Sequence, residues 1–204
     1  MKILKNIAIL IYRIWYYILM FVSILLLFPF LFISILREEW YPIFFKLARF
    51  WAYIILFGMG FTPIIKKGVR FKKGESYMFV ANHTSMIDIM LMLFITKDHV
   101  VFVGKKELSK IPLFGFIYKR TCILVDRNNS QSRRAVFNSA QQKINLGYSI
   151  CIFPEGGVPS DESIVLDDFK DGADFYARHL VGLFCTSMSF CLIHKRLNFH
   201  QFII

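Results

Sequence analysis

The sequence has little negative charge. Its 14 acidic residues stand against 25 basic ones, a formal net charge of +11. No nucleic-acid-binding motif accompanies that surplus, so nucleic acid is set aside as a partner. The four cysteines, Cys122, Cys151, Cys185 and Cys191, include no C-x-x-C pair. The spacing of Cys185, Cys191 and His194 fits no zinc template, and no metal site is expected. Cys122 and Cys151 lie in apolar runs where buried thiols are ordinary, and the thiols are read as reduced and cytoplasmic. There is no internal repeat and no low-complexity linker, and no proline follows Pro159.

Apolar residues, by contrast, are abundant. They make up 56% of the chain, with aromatics at 17%, and they are densest in the first third. Soluble domains run nearer about 45–50% apolar. Ile14 to Leu36 is 23 residues without charge. At 1.5 Å per residue such a helix crosses a hydrocarbon core of about 30 Å. It is too long for a secretory signal, and no small-residue cleavage site follows it. A second uncharged run, Phe50 to Ile65, has 16 residues and is interrupted by Gly58, Gly60 and Pro63. It either completes a membrane hairpin or lies in the interface on its aromatics. Lys2, Lys5 and Arg13 precede the first run, and a cluster of five cations from Lys66 to Lys73 follows the second. Both flanks favour the cytoplasmic side of a bilayer by the positive-inside rule, and anionic headgroups attract such clusters.

Residues 1–65 are therefore read as membrane-anchoring helices and 66–178 as a folded domain, followed by an apolar tail at 179–204. Within the domain, Tyr77–Ala81, His99–Val103, Cys122–Val125 and Ser149–Phe153 are short continuous apolar runs. Runs of that length suit strands covered on both faces. Helical patterns lie between them, at Asp88–Phe94 and at Ser130–Leu146, the latter ending at Gly147. Strands alternating with helices predict an α/β fold.

One stretch carries chemistry: Asn82-His83-Thr84-Ser85-Met86-Ile87-Asp88, where the first strand ends and a helix begins. Strand ends of α/β sheets are where ligands bind. An imidazole takes a proton from a hydroxyl near neutral pH, and a carboxylate on its other nitrogen fixes the tautomer. Five helical residues turn through about 500°, so two helical positions at this spacing do not share a face. His83 and Asp88 meet only if His83 stays in the loop and Thr84 and Ser85 turn the chain. The same spacing also fits a capping-box-like pattern, in which Asp88 serves the helix start.

These residues resemble the N-H-x-x-x-x-D block of the glycerolipid acyltransferase family, which includes lysophosphatidic acid acyltransferases. Phe153-Pro154-Glu155-Gly156 resembles its F-P-E-G block, and Val125-Asp126-Arg127 the end of its F-I-D-R block. Gly104-Lys105-Lys106-Glu107-Leu108 and Pro112-Leu113-Phe114-Gly115 resemble the segment between the first two blocks. The similarity covers about residues 45 to 175. It implies a membrane-anchored acyltransferase domain with no bound cofactor and no metal. His83 would be the base, Asp88 its orienting partner, and the free hydroxyl of a lysophospholipid the acceptor. Acyl-CoA or acyl carrier protein would donate the acyl group directly, without a covalent enzyme intermediate. Arg127 would hold the substrate phosphate, Lys105 would assist, and Glu155 and Gly156 would shape the acceptor site.

Two departures stand out. Where the family often continues Thr-Arg after its third block, this chain has Gly157-Val158, which motivates a different lyso-lipid acceptor as an alternative. Similarity also ceases near Asp174, before a proline-bearing strand expected to close the fold. Leu180 to Ile193 is uncharged and apolar, either a helix packed on the domain or membrane, or the product of a shifted or truncated frame. The second possibility makes an inactive, lipid-binding membrane protein the non-enzymatic alternative. A lost strand would leave an open sheet edge and lower stability.

Overall fold

The structure, a computed structural model, describes residues 2–64, 74–96, 98–126, 129–158 and 184–185. The basic cluster at 66–73, Arg127 and most of the expected tail lie outside the described residues. Two helices come first, α1 (Lys2–Ser34) and α2 (Tyr41–Gly58). The domain then runs β1 (Met78–Val80), α3 (Ile87–Ile95), β2 (Val100–Lys105), α4 (Phe114–Thr121), β3 (Ile123–Val125), α5 (Ser130–Asn145) and β4 (Ser149–Ile152). A short β5 (Phe184–Cys185) completes the sheet.

The strand order is β3-β2-β4-β1-β5, and every pairing is parallel. Parallel neighbours need crossovers, which α3, α4 and α5 supply. Side chains alternate between the two faces with period two. Phe79 of β1 and Cys151 of β4 face a core built with α2 and α3. Their neighbours Met78, Val80, Ile150 and Ile152 face a second core with Val136 and Ala140 of α5. With both faces buried, neither strand needs a polar stripe, which is why the strands are unbroken apolar runs.

All four predicted strands and both predicted domain helices form within a residue or two of their expected limits. Helix α5 opens on Asn129, whose Oδ1 accepts from the backbone N–H groups of Gln131 and Ser132 at 2.9 and 3.2 Å. It closes before Gly147 at φ 85°.

The two apolar runs form an antiparallel hairpin. Trp15 Nε1 donates to the Gly58 carbonyl at 2.9 Å, Tyr12 Oη to Met59 at 3.0 Å, and Trp51 Nε1 to Ser23 Oγ at 2.9 Å. Both helices are long and apolar enough to cross a membrane. Their limits differ from the uncharged runs. Helix α2 begins at Tyr41 and ends at Gly58, and it absorbs Lys46 and Arg49. The Arg49 guanidinium donates to the Thr96 carbonyl and lies 5.6 Å from the Phe45 ring centroid, so the charge does not break the helix. The faces also differ. Phe45, Ala48, Ala52, Ile55 and Leu56 of α2 are buried against α3. Much of α1 points outward, with Leu4 74%, Phe21 66% and Leu26 69% exposed.

Three features were not predicted. Lys106–Lys110 forms a 3₁₀ turn and Phe114–Thr121 a helix, short elements whose apolar positions resemble a loop in sequence. The third lies within the expected tail: Phe184–Cys185 is a strand parallel to β1, paired Met78 to Phe184 and Phe79 to Cys185. Strand β1 is thus paired on both sides, by β4 and by β5.

The turn into α4 is tightly wound. Gly115 N–H donates to the Ile111 carbonyl at 2.7 Å, and a Cβ on Gly115 would overlap the backbone of Ser109. Because the obstacle is main chain, Gly115→Ala should destabilise the fold by about 1–3 kcal/mol. Denaturant unfolding in detergent checks this against the parent chain.

Candidate active site

The parallel sheet collects the carboxyl ends of β1, β2, β3 and β4 along one edge, and the blocks at Asn82, Gly104, Val125 and Phe153 stand at these four ends. His83 leaves β1 in irregular backbone, Thr84 and Ser85 bend the chain, and α3 starts at Ile87. This is the geometry the spacing demanded. His83 Nδ1 lies 3.2 Å from Asp88 Oδ2, and the two residues are only 8% and 6% exposed.

The same oxygen does more. Asp88 Oδ2 also accepts from the backbone N–H groups of Thr84 and Ser85, each at 2.7 Å. Ser85 Oγ accepts in turn from Ile87 N–H at 3.3 Å. The capping pattern and the histidine partnership therefore coexist in one carboxylate. An ionised carboxylate accepts only, so the Asp88 contact favours the tautomer that carries its proton on Nδ1. The ring is also held flat on Phe153, with centroids 4.3 Å apart and planes 25° apart, and Phe153 in turn stacks on Phe102. Phe153 stands inside a quoted block, yet nothing in its spacing indicated contact with His83.

Glu155 lies beside His83 in the loop after β4. It is 3% exposed, and its Oε1 accepts from the His83 backbone N–H at 2.9 Å. It thereby ties the loop after β4 to the loop after β1. Gly156 follows at φ 84°, where a side chain would be strained, and is itself buried. Lys105, exposed at the end of β2, reaches across: its Nζ lies 3.6 Å from where a Cβ on Gly157 would stand. The structure thus brings His83, Asp88, Glu155, Gly156 and Lys105 to one sheet edge. Arg127 lies outside the described residues.

Cys122 and Cys151 are passive here. Burial pushes the Cys122 thiol up to about 12 and the Cys151 thiol up as well, so neither is a thiolate nucleophile near neutral pH.

The arrangement defines a class: an α/β domain that presents a carboxylate-oriented histidine at strand ends beside an apolar helical hairpin. Residues 64–191 match the family model described as Acyltransferase, and the chain belongs to that family. A 1-acyl-sn-glycerol-3-phosphate acyltransferase of Helicobacter pylori is 30% identical over 116 residues, covering 54% of this chain and 48% of that protein. A lyso-ornithine lipid O-acyltransferase of Pseudomonas aeruginosa is 29% identical over 90 residues, covering 44% and 34% respectively. The chain spans about half the length, or less, of the curated relatives it matches. Among solved structures, the 1-acyl-sn-glycerophosphate acyltransferase of Thermotoga maritima shares the fold. Its TM-score is 0.67 at 23% identity, over 85% of this chain and 70% of that one.

The Glu155 contact is separable from chemistry. Glu155→Ala leaves the buried His83 N–H without this acceptor and should cost about 1–3 kcal/mol of stability. Glu155→Gln keeps an acceptor oxygen and should retain most of it. Comparing the two unfolding midpoints in detergent tests the assignment.

Proposed function

We propose that this chain transfers a fatty acyl group from acyl-CoA or acyl carrier protein to the free hydroxyl of lysophosphatidic acid, forming phosphatidic acid. The observation that carries the reading is the buried His83–Asp88 pair at the carboxyl end of β1, in a chain of the acyltransferase family. The names borne by several relatives support the acceptor.

In this mechanism Asp88 holds Nδ1–H, and Nε2 takes the acceptor's hydroxyl proton as its oxygen attacks the thioester carbonyl. The tetrahedral intermediate collapses, the C–S bond breaks, and the proton passes from the imidazolium to the departing thiolate. No bond to the enzyme forms. Lys105 assists with the acceptor's phosphate, and Arg127 is its guanidinium partner. Glu155 and Gly156 shape the acceptor site indirectly, by fixing the loop that carries His83. The hairpin of α1 and α2 associates with the bilayer where the lipid substrate resides. Lys2, Lys5, Arg13 and the cations of 66–73 favour the cytoplasmic face by the positive-inside rule. Neither donor demands a resident cofactor, and both donors are acidic, which suits a basic surface.

A second acceptor is favoured by one specific feature. Gly157-Val158 replace the Thr-Arg usual after the third block, and a lyso-ornithine lipid O-acyltransferase is among the relatives. Purified chain in liposomes should acylate lysophosphatidic acid from at least one of the two donors, and His83→Ala should reduce the rate about 10²–10⁴-fold. Equal rates would reject His83 as the base. Faster transfer to an amino-acid lyso-lipid would shift the acceptor while keeping the chemistry.

A further inference from the structure

The segment between β2 and β3 is unusual for a connection facing water. Leu108, Ile111, Leu113 and Phe116 are 36%, 46%, 47% and 41% exposed. Single exposed apolar residues are ordinary, but a cluster of this kind marks an interaction surface. Leu113 sharpens the point. It sits at φ 61°, ψ −60°, in a γ-turn where Phe114 N–H donates to the Pro112 carbonyl at 2.6 Å. Glycine adopts such a backbone more cheaply, and a leucine there holds a large apolar side chain outward at the cost of strain.

Three further observations identify what this surface meets. First, it continues the outward apolar surface of α1. Phe116 stacks on Phe32, with centroids 5.1 Å apart, and Ile117 is buried with Leu31 and Ile35. Second, its rim is cationic. Lys110, Lys119 and Arg120 are exposed, and Glu107 is the one acid between Lys105 and Arg120. Third, it begins directly after Lys105, at the sheet edge that carries His83.

We infer that residues 106–120 form a second membrane-contact surface, which seats the carboxyl edge of the sheet on an anionic bilayer. The inference rests on the membrane reading of α1 and α2 and extends it to the domain itself. Apolar tips enter the boundary between headgroups and acyl chains, and the cations around them meet anionic headgroups. A protein partner would use the apolar tips equally well. The continuity with α1 and the cationic rim favour lipid.

Fluorescence tests this without any activity measurement. In the full chain with Trp15, Trp40 and Trp51 replaced by Phe, Ile111→Trp supplies a single probe in ordinary backbone. In vesicles of phosphatidylglycerol and brominated phosphatidylcholine, its emission should be blue-shifted and quenched. A chain retaining only Trp15 serves as the reference for α1. If Trp15 is quenched and the probe at 111 is not, this inference fails alone. If neither is quenched, the membrane reading fails with it. Should removal of the tryptophans disturb folding, Ile111→Asp with Leu113→Asp in the otherwise native chain provides a second readout. Transfer to vesicle-borne lysophosphatidic acid should fall about thirtyfold, the effect of two charges repelled by an anionic surface. Transfer to a short-chain, water-soluble acceptor should not change. Equal loss on both acceptors, or no loss on either, would overturn the proposal.

Discussion

One oxygen organises the site. Asp88 Oδ2 receives His83 Nδ1 and the N–H groups of Thr84 and Ser85, so a single carboxylate sets both the imidazole and the turn that presents it. The dependence is mutual. Without the turn, His83 would continue toward α3 and face away from Asp88, since five helical residues turn through about 500°. Without the carboxylate, two backbone donors at a half-buried bend would lose their acceptor. Glu155 adds the outer constraint, holding His83 by its main chain while Phe153 supports the ring. Asp88 holds ring and turn, Glu155 the backbone and Phe153 the ring face, which keeps the imidazole in one geometry.

Much of this was legible in sequence, for physical reasons. Strands buried on both faces must be apolar throughout, so Tyr77–Ala81 and Ser149–Phe153 read clearly. Their ends were informative because chemistry at a parallel sheet collects at carboxyl edges. The order of the blocks then indicated which strand ends converge, and His83, Asp88, Glu155, Gly156 and Lys105 do share that edge.

What was not legible depends on tertiary context. Lys46 and Arg49 precede the uncharged run at Phe50, yet α2 contains both, and Arg49 reaches the Thr96 carbonyl, a contact distant in sequence that accommodates its charge. Helix α4 spans only Phe114–Thr121, too short for a periodicity to stand out. Strand β5 has two residues, and its pairing with β1 depends on the placement of the rest of the sheet. Phe153 illustrates the same limit within the site. Its identity was visible, but its stacking on His83 follows from the register of β4 beside β1.

The coupling between hairpin and site is the larger consequence. Ala52, Ile55 and Leu56 of α2 share one buried core with Ile87, Met90 and Leu91 of α3, the helix whose first turn contains Asp88. The described residues therefore place no flexible tether between the α2 face and the Asp88 carboxylate. Helix α1 clips onto α2 through Trp15, Tyr12 and Trp51, and its far end packs on α4 through Leu31, Ile35 and Ile117. The hairpin is thus bound to the domain at two separated places, through α3 and through α4. A rigid body held at two places has little freedom to tilt. If α1 enters a bilayer, the sheet edge carrying His83 must then take a fixed height and inclination above it. Such a constraint would suit the proposed lipid acceptor, which diffuses in two dimensions, because a hydroxyl at a defined depth would meet the imidazole without a search along the third.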